Sequence, residues 1–337
     1  MKRIALTVLI LYVVLMLIPL PALKLKSGDA PVPAPTEPAA SGTGETSPPS
    51  AGEDDAGIFR LYDAANDTVN EIAVRDFLIG TVAAELPVTF HIEAIKAQAV
   101  ASYTYYSVQR SKSRAAPDDA IKGADFADEL WGYPIYYSAD SLREKWGDNY
   151  DANYGKFAEA VDAVLGKTIT YSGEPILAVY HAISPGQTES AETMWGSALP
   201  YLIPVPSPGD KLSPDYQSEA VITPEEFAAA LKESNAELTL DGDPSAWIGA
   251  DPACSASGTV TQITVGGQTM KGSDLRSALG LRSSCFTVGF SDGAFHFTVL
   301  GYGHGVGMSQ YGADYLARQG SSYEEILHYY YSGVDIA

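Results

Sequence analysis

The chain has 337 residues, with 42 acidic against 21 basic side chains and a formal net charge of −21. That balance excludes a nonspecific nucleic-acid binder, which needs cations to displace counterions, and a polybasic grip on anionic lipid. The length, less its non-globular segments, leaves one large domain or two closely packed lobes.

Lys2 and Arg3 precede an apolar run from Ile4 to Ile18, broken only by Thr7 and continued to Leu23. About 20 such residues span a bilayer, and the basic pair favours a cytoplasmic N-terminus. Residues 1–26 read as a transmembrane helix, with a cleaved signal peptide as the rival. The lack of an A-x-A-like site after the run favours the anchor. On both readings the rest of the chain is extracytoplasmic. Residues 27–57 are dense in Pro, Ala, Ser, Gly, Thr and Glu. They cannot bury enough surface to offset chain entropy, and are expected to be a disordered linker. The folded part is expected at 58–337.

Ile58 to Tyr62 reads as a strand. From Val69 the pattern turns helical, with Ile72, Phe77, Leu78 and Val82 on one stripe. That helix must stop at Leu86, because Pro87 follows. A second, alanine-rich helix is predicted from His91 to Lys112. Residues 115–155 are a loop-rich stretch carrying Trp131, Tyr133, Tyr136, Tyr137 and Trp146. A short helix is expected at Tyr154–Leu165, then strands at Thr168–Tyr171 and Ile176–His181. After a proline-rich loop over 182–218, Thr223 caps a helix at Pro224–Lys232. Strands return at Gly258–Val265 and at Phe286–Leu300, the latter split by Ser291-Asp292-Gly293. Helices at Ser309–Gln319 and Tyr323–Tyr330 close the chain. The fold class is α+β, with helices, antiparallel strands and long irregular insertions that would wall a cleft.

The densest signal is Gly301-Tyr302-Gly303-His304-Gly305-Val306-Gly307-Met308-Ser309-Gln310. Alternate glycines cost chain entropy, so something must approach this backbone closely or require positive φ. No phosphate-binding glycine motif fits, which points to a chain-like or bulky ligand beside His304. Tyrosine is abundant, 21 residues against 10 Phe. Such rings suit sugars, and they equally suit a half-buried core. Glu85 lies in Ala83-Ala84-Glu85-Leu86-Pro87, at a helix C-terminus among apolar neighbours. Both features push a carboxyl toward neutrality at ordinary pH, and so toward general acid chemistry; a solvated glutamate is the plain alternative. Tyr180 to Glu189 leaves a buried-looking strand, a place where loops line sites. The five histidines are scattered and no metal-ligand spacing occurs, so no metal or cofactor is expected. No triad signature occurs. Cys254 and Cys285 share a strand-rich region and are either a disulfide or two independent buried thiols.

Three ordered blocks carry a resemblance to the stage II sporulation protein D family, whose domain is shared with the amidase enhancer. They are Val74–Pro87 continuing into Glu93–Val100; Tyr180–Thr188 with Met194-Trp195-Gly196 and Pro200-Tyr201-Leu202; and His304–Ala313. The resemblance implies a membrane-anchored lytic transglycosylase that cuts MurNAc–GlcNAc bonds in peptidoglycan strands stripped of stem peptides. It implies action with a partner amidase and a membrane scaffold protein in the mother-cell engulfing membrane during forespore engulfment. The family's catalytic glutamate falls on Glu85, and Lys96, Tyr103, Tyr180, Ser184, His304 and Gln310 become candidates to bind substrate. Two departures stand out. Tyr103 replaces an arginine common in relatives, which suggests stacking in place of charge. The stretch from Gly123 to Ser138 lacks the His/Cys cluster that holds zinc in some members, so aromatics are expected to latch it instead. A non-catalytic module that activates an amidase is the rival function.

Overall fold

The computed structural model describes residues 57–130, 133–234 and 238–337. The expected transmembrane segment, its linker and Trp131 lie outside the described residues. Within the described residues no helix is long and apolar enough to cross a membrane.

The folded part opens with an antiparallel hairpin, β1 (Ile58–Asp63) and β2 (Thr68–Ala73), in register from Ile58↔Ala73 to Asp63↔Thr68. Here the expectation of a helix from Val69 is corrected. β2 is mostly exposed and spends its backbone groups on β1, so the helix starts only where the run of buried residues begins, at Val74. That helix, α1 (Val74–Glu85), buries Phe77, Leu78, Ile79 and Val82. It ends as predicted, with Leu86 extended ahead of Pro87.

The next helix, α2 (Ile92–Ala115), is the axis of the main core. Its small residues Ala94, Ala97, Ala99 and Ala101 are buried and let neighbours close in on several sides. The neighbours are α1, α4 (Tyr150–Asp162), α8 (Gln310–Arg318) and α9 (Tyr323–Tyr330). Between α2 and α4 run β3 (Phe126–Ala127), parallel to β1, the small pair β4 (Glu129–Leu130) and β5 (Tyr133–Pro134), and α3 (Ala139–Trp146). Two aromatics of this stretch pack inward. Tyr136 stacks on Phe77 at 5.7 Å, and Trp146 on Phe157 at 5.6 Å. Sequence reading missed α3 because its hydrophobic face supplies only one buried residue, Leu142.

After α4, β6 (Ile169–Tyr171) sits between β7 (Glu174–Pro175) and the C-terminal β16 (Asp335–Ile336). Of the predicted strand Ile176–His181, only β8 (Tyr180–His181) is paired, parallel to β15 (Met308–Ser309). A short helix, α5 (Ala191–Trp195), follows in the 182–218 segment.

Residues 217–300 form a module with a core of its own, built on Phe227, Val260, Leu275, Phe295 and Phe297. Its two ends meet where the Gly301 N–H donates to the Tyr216 carbonyl at 2.7 Å. One sheet has the order β13 (Phe286–Ser291), β14 (Ala294–Leu300), β9 (Gln217–Ile222). The other is β10 (Ala253–Cys254), β11 (Val260–Val265), β12 (Gln268–Met270). Helices α6 (Pro224–Ser234) and α7 (Gly272–Leu279) cover them. Thr223 caps α6 as expected and exchanges hydrogen bonds with Glu226. The disulfide reading is corrected here. Cys254 is an exposed free thiol whose Sγ turns toward the Pro252 carbonyl, while Cys285 is buried and free. Burial pushes the Cys285 thiol up to about 11.

Candidate active site

Glu85 is the last residue of α1, and three other elements converge on it. Tyr180 of β8 donates its hydroxyl to Glu85 Oε1 at 3.4 Å, and Gln310 of α8 donates Nε2–H to Oε2 at 3.1 Å. α2 closes the ring from below. Gln98 Nε2–H donates to Ser102 Oγ at 3.1 Å, and Ser102 donates to Tyr180 Oη at 3.4 Å. Gln98 Oε1 in turn accepts from Gln310 at 3.4 Å. Gln98 and Ser102 are fully buried, and Tyr180 and Gln310 nearly so.

Glu85 itself keeps part of its surface open to solvent. Its carboxyl is nevertheless crowded by protein. Burial raises its pKa from 4.5 to about 7, against the lowering effect of the Gln310 and Tyr180 hydrogen bonds. Removal from water penalises the charged form, and two donors return only part of that penalty. Tyr106 of α2 also faces the carboxyl, and burial, then the nearby carboxylate, hold its phenol well above the ordinary range. Glu85 can therefore hold or release a proton near pH 7.

Other predicted site residues fall elsewhere. Lys96 pairs with Glu93 at 2.7 Å, one turn away on its own helix. Tyr103 is half-buried against the main core. Ser184 is wholly buried and gives both its N–H and its hydroxyl to Asp210, so it braces the loop rather than lining a surface. His304 is 6% exposed, and its Nδ1 accepts the Val306 N–H at 3.0 Å. Burial first, then His181 and Arg276, hold its pKa well below the usual histidine range. It is a neutral core imidazole beside Trp195, not a partner of Glu85.

The glycines of this loop have a different use from the one the sequence suggested. Gly301, Gly303, Gly305 and Gly307 all have positive φ. A Cβ on Gly301 would stand 2.7 Å from the Ile183 carbonyl, one on Gly303 2.8 Å from the His181 side chain, and one on Gly307 inside the Val179 carbonyl. What approaches this backbone closely is the chain's own 179–189 segment rather than a ligand. The paired backbone places Tyr180 and Gln310 on either side of one carboxylate.

Two groups that sequence reading missed are now evident. Gln98 and Ser102 form an i,i+4 polar pair inside a buried helix, and that pattern was visible in the sequence. Asp210, wholly buried, accepts Ser309 Oγ at 2.7 Å, and Ser309 caps the helix that begins with Gln310. Nothing local marked Asp210, since its partners lie 26 and 99 residues away. Among the described residues no group of three or more His, Cys, Asp or Glu could hold a metal ion.

The Stage II sporulation protein family model matches residues 62–171, which carry Glu85, Gln98 and Ser102. Stage II sporulation protein D of Bacillus subtilis (strain 168) is 38% identical over 277 residues, covering 82% of this chain and 78% of that protein. The chain belongs to the stage II sporulation protein D family. The homologue from Bacillus amyloliquefaciens is likewise 38% identical, over 280 residues. The amidase enhancer of Bacillus subtilis is 28% identical over 309 residues, covering 77% of this chain and 40% of that protein. This stage II sporulation protein D homologue is thus a sporulation protein by family, and Glu85, whose pKa burial raises to about 7, lies inside the family match.

Proposed function

We propose that this protein is a lytic transglycosylase of peptidoglycan and that Glu85 is its acid and base. The observation that carries the reading is a single carboxyl, on a residue that keeps part of its surface exposed, with a pKa raised to about 7 and held by two neutral donors. In the first step Glu85 gives its proton to the glycosidic oxygen between MurNAc and GlcNAc, and the C1–O bond breaks. The resulting carboxylate then takes the proton of the muramyl C6 hydroxyl, whose oxygen attacks C1. The product is a 1,6-anhydro ring, and Glu85 ends as it began. One carboxyl suffices, whereas glycoside hydrolysis by water uses two. A pKa near the working pH suits a group that must act in both senses. Tyr180 and Gln310 stabilise the carboxylate midway. Denuded glycan strands are the substrate in this reading, and the site is extracytoplasmic, on an N-terminal anchor in the engulfing membrane.

The resemblance to the amidase enhancer favours a second reading, in which the domain binds glycan and activates a partner amidase without cutting. One experiment separates them. Denuded strands are incubated with the protein and the products are analysed by mass spectrometry. Anhydro-muramyl ends from the wild type and none from Glu85→Gln support the enzyme. Cleavage that survives in Glu85→Gln removes Glu85 from the mechanism. No cleavage by either form, with amidase stimulated by both, supports the activator.

A further inference from the structure

The ring of side chains behind Glu85 has a direction. An amide can be turned end for end in coordinates, so the direction must follow from the chemistry of its members. Glu85 as a carboxylate only accepts, so Gln310 must present its NH2 to Oε2. The same NH2 faces Gln98, which must therefore present its carbonyl there, and its own NH2 then points at Ser102. With that donor on Ser102 Oγ, the serine hydrogen turns to Tyr180 Oη, and the tyrosine hydrogen turns to Glu85 Oε1. The Tyr106 phenol also hydrogen-bonds with Tyr180, so the Tyr180 hydrogen has two acceptors in reach, and the charged carboxylate draws it.

We infer that Gln98 and Ser102 are positioning residues that commit the Tyr180 hydroxyl as a donor to Glu85, and so set how readily that carboxyl gives up its proton. Neither touches the carboxyl: Ser102 acts through Tyr180, and Gln98 acts through Ser102 and Tyr180 and also through Gln310, whose NH2 its carbonyl accepts. Chains of hydrogen bonds polarise one another, so each donor upstream makes the last one stronger. Glu85 faces Tyr180 from β8, Tyr106 from α2 and neutral Gln310 from α8, with Tyr105 behind the two phenols. His304, next to Tyr180, stays neutral. The phenols remain protonated near pH 7, which leaves donor direction as the adjustable influence on Glu85.

The inference rests on the acid–base reading of Glu85 for its purpose, but its test needs no substrate. Glutamate labelled with 13C at the side-chain carboxyl is incorporated into the full chain. The Glu85 resonance is identified by its loss in Glu85→Gln and titrated by NMR. Tyr180→Phe removes one charge-assisted bond and is expected to raise the Glu85 pKa by about 1. Ser102→Ala is expected to raise it by about 0.3, the effect of losing roughly 10–30% of such a bond. In the Tyr180→Phe background, Ser102→Ala is expected to add nothing, because its route to Glu85 is gone. An equal shift in both backgrounds, no shift in the single variant, or a lowered pKa overturns the relay. A failure to cut glycan would instead count against the proposed activity and leave the titration result standing.

Discussion

Replacing Glu85 with glutamine should make the folded protein more stable above about pH 5, most of all at neutral and alkaline pH. The carboxyl titrates at about 7 in the fold against 4.5 when exposed. The folded state therefore binds the proton more tightly than the unfolded chain. The stabilisation that accompanies protonation is fully present below about pH 4.5 and is lost as pH rises through about 7. At about 1.4 kcal/mol for each pH unit, that difference approaches roughly 3 kcal/mol above pH 8. Because part of Glu85 is open to solvent, about 2–3 kcal/mol is the expected figure. Glutamine carries no charge to desolvate, and its amide can still meet Tyr180 and Gln310. Urea unfolding of both forms from pH 4 to 8.5 should give curves that converge near pH 4, separate between about pH 4.5 and 7, and run parallel above about pH 8. The corresponding gain in Tm at pH 8.5 is roughly 5 °C for a chain of this size. A flat difference across that range, or a wild type that is the more stable form at pH 8.5, would refute the claim that burial raises this carboxyl.

Gln310→Leu deletes the shorter of the two donors to Glu85, so the alkaline limb of the glycan-cleavage profile should move up by about 1 pH unit. Asp125 is buried and accepts Arg114 Nε at 2.7 Å, Arg114 Nη2 at 2.9 Å and the Arg60 N–H at 2.8 Å. Asp125→Ala removes the carboxylate that offsets the largely buried Arg114 charge and should cost about 3–5 kcal/mol in urea unfolding. Gly307→Ala forces a methyl group into the Val179 carbonyl at positive φ and should cost about 3–5 kcal/mol, visible as a collapse in soluble yield. Gly320 has φ +101 and nothing within 4 Å, so Gly320→Ala should cost only about 1–2 kcal/mol by the same measurement.

Much of the main core was legible because helices announce themselves by period. The stop of α1 at Leu86 followed from Pro87, and the alanine-rich α2 from its composition. The hairpin β1–β2 was half missed because β2 shows no clean alternation: its hydrogen bonds to β1, not its side chains, make it a strand. The module at 217–300 was legible as strands but not as a separate core, since its closure depends on Tyr216 meeting Gly301. In the site, Tyr180, Gln310 and Glu85 were all named from sequence and prove to be hydrogen-bonded. Ser184 and His304 were named from the same blocks but are buried supports.

The sequence by itself determined the family, the helix that ends on Glu85, and that something must come close to the alternate glycines or require positive φ there. Those properties are carried by short, local stretches of chain. Only the tertiary structure decided what the glycines are for and which neighbours Glu85 has. A glycine reports that something comes close without saying what; here it is Val179, Ile183 and His181 of the same chain. A carboxyl's pKa depends on the water and donors around it, and these come from residues 95 and 225 positions away. No local pattern encodes such a meeting, because it exists only when β8, α2 and α8 close around the end of α1.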